Sequence, residues 1–383
     1  MSAPSERIEI IDDAPDDAPI GLTLGVRAGG RMSAARRAWL TDRLRGRTIG
    51  LVGATGAVGI ETLALLAEAG VEAARVRAFA SPGSVGRRLR LGAGVVVSEH
   101  ADAAEIAGCD VAILAVGAAR AREVAPAIAA RGTLVVDHSS AFRQDPGVPL
   151  VVPEINMPSR APAGRIVASP NCTTTIALVA ADPIRRGFGV ESMCVTSYQA
   201  ASGAGLAAVS ALAAESGAAL AGADPAPSVF PVPAAFNVFP HESAIDAVSR
   251  ANAEEMKVVR ESRRIWDDPA LAVEATCVRV PVFRTHIVSL RLVLLKPASI
   301  AEIERALGAS DAIELLDARE PATGVSSLGA AGRCAVLVGR VRPADPTADA
   351  NAGAHRVVTL VAAGDQLLKG SAWNGLQIAA ALV

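Results

Sequence analysis

One cysteine of this chain stands where it could act as a nucleophile. Cys172 follows Asn171 in the stretch ASPNCTTTIALVAADP, residues 168–183, and an apolar pattern with helical spacing begins directly after it. The start of a helix is the positive end of its dipole, where the thiolate, the nucleophilic form of cysteine, is favoured. From this stretch alone, a small buried structural cysteine remains the alternative.

A nucleophilic thiol needs a group that can donate or accept a proton, and histidine is the usual one near neutral pH. His286 lies in TCVRVPVFRTHIVSLRL, just past a strand-like run, with Arg279 seven residues before it. A hydrogen-bonded structural histidine is the commoner occupant of such a position, so the spacing leaves both roles open. The remaining histidines are His100, His138, His241 and His355.

A glycine turn upstream predicts a nucleotide site. In RTIGLVGATGAVGIETLALLAEAG, the apolar run 49–52 predicts a buried strand and residues 60–69 predict an amphipathic helix, with Gly53, Gly56 and Gly59 between them. Glycines at a strand-to-helix turn let backbone N–H groups and the positive helix end approach a pyrophosphate. The spacing G-x-x-G-x-x-G is not the commoner G-x-G-x-x-G, so the prediction depends on the flanking strand and helix.

The next segments predict the rest of a dinucleotide-binding sheet. RVRAFASPGSVGRRLR offers Ser81 and Ser84 near the adenosine ribose and no Asp or Glu, and an acid there would repel a 2′-phosphate. The pattern therefore favours NADP. Strands are predicted within 109–116 and 132–139 with a helix between them, and this βαβ alternation indicates a parallel sheet covered on both faces.

Composition excludes several classes of partner. The formal net charge is -2 without a dense Lys/Arg block, which gives no footprint for nucleic acid or an anionic membrane. The five cysteines are scattered and never spaced C-x-x-C, so neither a metal site nor a disulfide framework is predicted, and a reducing cytoplasmic location is favoured. No apolar run approaches the roughly 18 to 20 residues of a membrane span.

Seven strings occur along the chain in the order GATGAVG, VDHSSAFRQDPGVPLVVPEIN, ASPNCTTT, SYQAASGAG, EEMK, CVRVPVFRTH and LLKGSAWNGLQIA. In their order and approximate spacing they resemble those of aspartate-semialdehyde dehydrogenases. The similarity runs from about residue 47 to the C-terminus. The resemblance implies NADPH-dependent conversion of 4-phospho-L-aspartate to L-aspartate 4-semialdehyde, in the pathway to lysine (through diaminopimelate), threonine, methionine and isoleucine.

The resemblance also implies a role for each residue of the catalytic site. Cys172 would form a thioester with release of phosphate, and His286 would act as acid and base. Asn171 and the Cys172 amide would donate to the oxyanion, while Gln199 would hold thiol and substrate in register.

The charges of the substrate have matching partners in the same strings. Arg143 and Lys257 would bind the phosphate, Arg279 the α-carboxylate through a bidentate fork, and Glu254 the α-ammonium. Each of these alone would be taken as an ordinary surface charge.

The resemblance places the cofactor on residues from several segments, with two departures. An arginine that binds the 2′-phosphate in many members is Gly83 here, and the family's Asn before LLKG is Gln366. NADP(H) is expected, and use of NAD as well is left open. The predicted contacts are Gly53, Thr55, Gly56, Ala57, Val58, Ser81, Gly83, Ser84, Ser202, Gly203 and Gln366.

The predicted fold class is α/β, with a Rossmann-like dinucleotide-binding domain of parallel strands and an α+β catalytic and dimerisation domain, the active site lying in the cleft between them. Residues 47–172 with 365–383 form the first, residues 173–364 form the second, and residues 1–46 are an extension, disordered or partly helical around SAARRAWLTDRL. The Ala/Gly-rich span 200–227 has too little bulk for a strong core helix and is expected near a subunit interface.

The resemblance implies at least a homodimer, with a tetramer as the alternative. Two other functions compete with the main interpretation. One is an N-acetyl-glutamyl-phosphate reductase, and the other is a catalytically silent paralog that binds nucleotide or a partner.

Overall fold

The computed structural model describes residues 31–317, 324–351 and 353–383. Most of the predicted extension, residues 1–30, lies outside the described residues. The described chain forms two compact units, which we call unit 1 (residues 31–171 and 371–383) and unit 2 (residues 172–370). These bounds place residues 31–46 in unit 1 and move Cys172 and residues 365–370 into unit 2.

Unit 1 contains a seven-stranded sheet in the order β3-β4-β2-β1-β5-β6-β7, parallel except for β3 against β4. The strands β1, β5 and β6 are buried along their whole length, as parallel strands covered on both faces are. The predicted parallel sheet is therefore confirmed. Its strands are β1 Ile49–Val52, β2 Val76–Ala80, β3 Arg88–Leu91, β4 Gly94–His100, β5 Val111–Leu114, β6 Leu134–Asp137 and β7 Ile166–Ala168.

The helices of unit 1 alternate with these strands along the chain. Two single 3-10 turns, Ala73–Arg75 and Pro82–Ser84, flank β2. The helices are α1 Ala34–Leu44, α2 Ala57–Glu68, α3 Ala103–Ile106, α4 Ala118–Ala129 and α5 Pro153–Asn156.

The glycine turn between β1 and α2 tolerates no side chain at two positions. Gly53 has φ +85, and a Cβ there would lie 2.3 Å from the carbonyl oxygen of Ala115. A Cβ on Gly59 would lie 2.3 Å from the carbonyl oxygen of Gly53. The first glycine thus permits the sharp turn and the last permits close packing of helix on strand. Helix α2 begins at Ala57, three residues before the predicted start.

Unit 2 contains a mixed seven-stranded sheet in the order β12-β13-β14-β11-β8-β10-β9. Its pairs β8/β10 and β12/β13 are parallel and the others are antiparallel, so the predicted α+β architecture is confirmed. The strands are β8 Val190–Gln199, β9 Phe239–Pro240, β10 Ala272–Arg279, β11 His286–Ala298, β12 Ile313–Leu315, β13 Val336–Pro343 and β14 His355–Gly364.

The expectation that residues 200–227 lack a strong helix is wrong. A 15-residue helix, α7, spans Leu206–Leu220, and Leu212 is buried on it. Alanine has the highest intrinsic helix propensity, and the buried carboxylate of Glu215 accepts N–H groups of Ala234 at 2.6 Å and Ala235 at 3.2 Å. Small side chains therefore suffice when a buried acceptor anchors the helix. The other helices of unit 2 are α6 Cys172–Phe188, α8 Ala253–Ile265, α9 Ile300–Gly308 and α10 Ser327–Ala330.

The last helix and the first one belong to the same unit. A π-helical turn, Leu368–Ala372, leads into α11 Trp373–Leu382. Trp39 on α1 meets Trp373 edge to face with ring centroids 6.3 Å apart. The predicted helix in residues 31–46 is thus present, but it packs within unit 1 and is not an appendage. None of the helices in the described ranges is both long and apolar enough to cross a lipid bilayer.

Candidate active site

The candidate nucleophile is the first residue of α6. Cys172 is partly buried, and the three threonines that follow it are fully buried in the first turn of the helix. The chain returns beside it at Gly370, where a Cβ would lie 2.7 Å from the Cβ of Cys172. The predicted helix start is confirmed, and Gly370 leaves room for the cysteine side chain.

Gln199 connects the start of α6 to a buried acid. Its side-chain Nε2 donates to Thr173 Oγ1 at 3.0 Å, and it lies 3.4 Å from Glu254 Oε1. The other oxygen of Glu254 accepts from Lys257 Nζ at 2.9 Å. Because Glu254 is nearly fully buried between an amide and an ammonium group, it fixes both donors. The acid predicted to bind an ammonium group of substrate is therefore already engaged by protein groups.

The register of the sheet brings the distant arginine and histidine to the end of β8. Arg279, the last residue of β10, pairs with Gln199. His286 is the first residue of β11, whose next residue pairs with Tyr198. The predicted neighbours of Gln199 thus converge because three strands end or begin at one edge of the sheet.

The backbone of Ala200 holds both side chains. Its N–H donates to His286 Nδ1 at 3.0 Å, and its carbonyl accepts from Arg279 Nη1 at 3.0 Å. Gly203 lies over the same pair, since a Cβ there would be 3.2 Å from His286 Nε2 and 3.4 Å from Arg279 Nη1. The SYQAASGAG string therefore positions both His286 and Arg279 in the unit 2 site.

His286 is oriented as a neutral hydrogen-bond donor. Since Nδ1 accepts the Ala200 N–H, the neutral ring carries its proton on Nε2. Burial and, to a smaller extent, the nearby charge of Arg279 lower the pKa of His286 to about 3. Nε2 is buried and has no hydrogen-bond partner among the described residues. This geometry favours donation from Nε2 over the combined acid and base role predicted from the sequence.

Arg279 is held by an acid that the sequence did not indicate. Its Nη2 lies 2.7 Å from Glu242 Oε1 and its Nε 3.3 Å from Glu242 Oε2, while Nη2 also lies 2.9 Å from His241 Nε2. The guanidinium stacks over Phe230 at 5.0 Å. An isolated Glu in a loop carries no sequence signal for such a role.

Gln366 joins two loops of unit 2. Its side-chain oxygen accepts the Thr285 N–H at 2.7 Å, and its amide nitrogen donates to Ser202 Oγ. Asp365 beside it forms a buried ion pair with Arg284 at 2.6 Å. Gln366 was predicted as a cofactor contact, and in the structure its amide fixes the segment before His286 against the 201–204 turn.

The remaining predicted residues lie in unit 1. Arg143 is nearly buried, and its donors bind the carbonyl oxygens of His138 at 2.7 Å and Ser169 at 2.9 Å. Asn171 is buried and is the last residue of the 31–171 segment of the unit. Within the described ranges, no group of three or more His, Cys, Asp or Glu residues could hold a metal ion.

The glycine turn of unit 1 fits a dinucleotide. The parallel pairing of β1 with β2 sets their carboxyl ends side by side, so residues 53–56 and the exposed turn 81–84 share one edge of the sheet. Gly56 caps α2 without a side-chain hydrogen bond, which leaves the first N–H groups of this helix without a side-chain acceptor from the cap. Thr55, Ala57, Val58, Ser81, Gly83 and Ser84 all lie at this edge.

Comparison with known proteins identifies the class. A family model described as "Semialdehyde dehydrogenase, NAD binding domain" matches residues 48–161, and "Semialdehyde dehydrogenase, dimerisation domain" matches residues 181–369. A crystal structure of aspartate semialdehyde dehydrogenase II from Vibrio cholerae complexed with ASA superposes with a TM-score of 0.79 at 33% identity, covering 88% of this chain and 97% of that one. Fold and site thus define a two-domain semialdehyde dehydrogenase with a nicotinamide-nucleotide domain.

Relatives narrow the class to one family. Aspartate-semialdehyde dehydrogenase of Mycolicibacterium smegmatis is 38% identical over 347 residues, which is 86% of this chain and 97% of the relative. The enzyme of Corynebacterium glutamicum is 39% identical over 354 residues, 88% of this chain and 99% of the relative. The chain belongs to the aspartate-semialdehyde dehydrogenase family, as its sequence strings predicted.

Proposed function

We propose that the protein catalyses the NADPH-dependent reductive dephosphorylation of 4-phospho-L-aspartate to L-aspartate 4-semialdehyde, in the pathway to lysine, threonine, methionine and isoleucine. The observation that carries this proposal is the convergence near the end of β8 of a partly buried thiol at a helix start, a histidine whose Nδ1 accepts a backbone N–H, and two cations, Lys257 and Arg279, each paired with a carboxylate of the protein. Relatives of 38% and 39% identity carry the name of this activity.

The proposed chemistry proceeds through a thioester. The Cys172 sulfur attacks the acyl carbon, a C–S bond forms, and the C–O bond to inorganic phosphate breaks. The bound nicotinamide supplies the hydride. Return of the electron pair from oxygen then breaks the C–S bond, releasing the aldehyde and the thiolate. The leaving phosphate takes up the one proton that the overall reaction consumes.

His286 has one role in these reaction steps. Its buried Nε2–H donates a hydrogen bond to the substrate oxygen as negative charge develops there. The ring remains neutral throughout, since the collapse of the tetrahedral intermediate returns the charge to sulfur. Asn171 and the Cys172 N–H supply further donors.

The substrate is held by its charges. Lys257 and Arg143 bind the phosphate, and Arg279 binds the α-carboxylate through its bidentate face. Glu254 orients Lys257, which it binds at 2.9 Å, and is the acid proposed to face the α-ammonium. Gln199 holds the first turn of α6 in register with these groups.

NADP is the proposed cofactor. The exposed turn 81–84 after β2 carries no acid that would repel a 2′-phosphate, and Arg87 and Arg88 follow it after two intervening residues. A Cβ on Gly83 would have no neighbour within 4 Å, so there is open space beside this position for the phosphate. A higher kcat/KM with NADPH than with NADH is expected, and the reverse would refute this preference.

A homodimer is the proposed assembly, with a tetramer of two such dimers as the larger alternative. Tyr198 lies near the end of β8, an interior strand of the unit 2 sheet, and 41% of its surface is exposed; along β8 the partly or fully exposed side chains alternate with buried ones. A large aromatic side chain on an open sheet face fits a second copy of the sheet. The matching dimerisation model covers this strand. The five free cysteines fit a reducing, cytoplasmic location.

The decisive experiment is the reverse reaction. Purified protein with aspartate semialdehyde, phosphate and NADP should form NADPH, and Cys172→Ala should abolish it. Cys194→Ala on β8 is the matched control and should retain activity, since that thiol contacts Glu274 and not the site. Phosphate-independent activity, or activity that survives in Cys172→Ala, would refute the proposal. Turnover of N-acetylglutamate semialdehyde in place of aspartate semialdehyde would favour the N-acetyl-glutamyl-phosphate reductase activity. Absence of turnover with either substrate would favour a catalytically silent paralog.

A further inference from the structure

The guanidinium of Arg279 already binds a carboxylate of this chain. Glu242 contacts the Nε/Nη2 side of the guanidinium through both of its oxygens, at 3.3 and 2.7 Å. This is the bidentate arrangement through which an arginine recognises a planar carboxylate. An α-carboxylate cannot occupy the same side while Glu242 is there.

The other side of the guanidinium is also engaged. Nη1 donates to the Ala200 carbonyl at 3.0 Å, and a hydrogen on Nη2 faces His241 Nε2 at 2.9 Å. An incoming carboxylate therefore has one route to a bidentate contact, which is to replace Glu242.

The two partners differ in how firmly they are held. Arg279 is 2% exposed, fixed by Ala200 and stacked on Phe230. The side chain of Glu242 is 21% exposed and lies in the segment between β9 and α8, where Ile245 and Val248 face solvent at 71% and 93%. Replacement of Glu242 thus leaves the arginine in place and moves the carboxylate toward water.

A buried cation without a counter-charge is costly, whereas exchange of one carboxylate for another keeps it paired at every stage. Burial alone would raise the pKa of Glu242, but the Arg279 hydrogen bond and charge outweigh it and the pKa is lowered, so the acid is ionised near neutral pH. Glu242 therefore carries the same charge as a ligand carboxylate and can take its place on Arg279 in the free protein.

We propose that Glu242 is an internal competitor of the substrate: it occupies the carboxylate-binding side of Arg279 in the free enzyme and is exchanged for the α-carboxylate on binding. This inference rests on the proposed function. The exchange makes the enzyme discriminate against semialdehydes without an α-carboxylate, since only a carboxylate can replace Glu242 without leaving Arg279 unpaired. Occupation of the guanidinium by Glu242 also weakens the apparent affinity for substrate, because only molecules in which Glu242 has left Arg279 can bind the α-carboxylate.

The test is Glu242→Gln, which keeps the shape and removes the charge. KM for aspartate semialdehyde should fall about fivefold, the scale expected for loss of a partly exposed ion pair, while kcat stays within about twofold. Asp246→Asn is the matched control on the same segment: it removes the same charge, retains an acceptor for the Val248 and Ser249 N–H groups, and should leave KM unchanged.

Two analogues separate the carboxylate from the ammonium. As competitive inhibitors, succinic semialdehyde keeps the carboxylate and 3-aminopropanal keeps only the ammonium. Glu242→Gln should lower the inhibition constant of succinic semialdehyde about fivefold and leave that of 3-aminopropanal unchanged. A raised or unchanged KM in Glu242→Gln would overturn the proposal. Weaker inhibition by 3-aminopropanal in this variant would also overturn it, and would instead show that Glu242 binds the ammonium group.

Failure of the proposed function is distinguishable from failure of this inference. If wild-type protein does not turn over aspartate semialdehyde, the same three ligands are titrated by calorimetry. Tighter binding of the two carboxylate ligands to Glu242→Gln would still support the exchange, and equal binding would refute it.

Discussion

The protonation of His286 links the site to the stability of the fold. Burial, and then the charge of Arg279, lower its pKa to about 3 in the folded protein, against about 6.5 in an unfolded chain. Between these values the unfolded state binds a proton that the folded state does not, so the free energy of unfolding must rise with pH across this window and level off above it.

The magnitude follows from the two pKa values. At pH 5 the unfolded histidine is almost fully protonated and the folded one is not, which costs the folded state about 2 kcal/mol relative to pH 7. His138 acts in the same direction, because burial and then Arg143 lower its pKa to about 4. Together they predict a loss of about 4 kcal/mol between pH 7 and pH 5.

The assay is urea unfolding at pH 7, 6 and 5, for the wild-type protein and for His286→Gln. Glutamine does not titrate, so the variant should lose about 2 kcal/mol less than the wild type over this range. Comparing slopes removes any constant destabilisation caused by the substitution and the contributions of other titrating groups. A difference between the two proteins that is the same at all three pH values would refute the assigned neutral state of His286. The same assignment predicts that His286 contributes no kinetic pKa near 6.5 to the kcat profile.

Two further substitutions test the packing around the site. Gly370→Ala should lower kcat at least about tenfold, because its Cβ would come within 2.7 Å of the Cβ of Cys172; unchanged kcat in steady-state assays would contradict this contact. Gln366→Ala should destabilise the protein by about 2 kcal/mol in urea unfolding, since Thr285 loses its acceptor and Ser202 its donor; an effect below about 0.5 kcal/mol would show that these loops need no bridge.

Local patterns predicted the elements that carry the chemistry. The strand at residues 49–52 and the turn at Gly53 follow from an apolar run and from a conformation that only glycine adopts readily, and both depend on near neighbours in the chain. The helix start at Cys172 follows likewise from a local change of pattern. The expectation for residues 200–227 failed because Glu215 anchors α7 through groups 19 and 20 residues away, which no local pattern contains.

Sequence strings also determined the family and predicted a set of site residues, since a motif keeps its residue types wherever the chain folds. Only the tertiary structure decided how these residues act on one another. The tautomer of His286 depends on the N–H of Ala200, which is 86 residues away in the chain. The carboxylate that binds the Arg279 guanidinium belongs to Glu242, which is 37 residues away. Such contacts are set by the register of β10 and β11 against β8, and strand register is a property of the whole sheet that no single segment encodes.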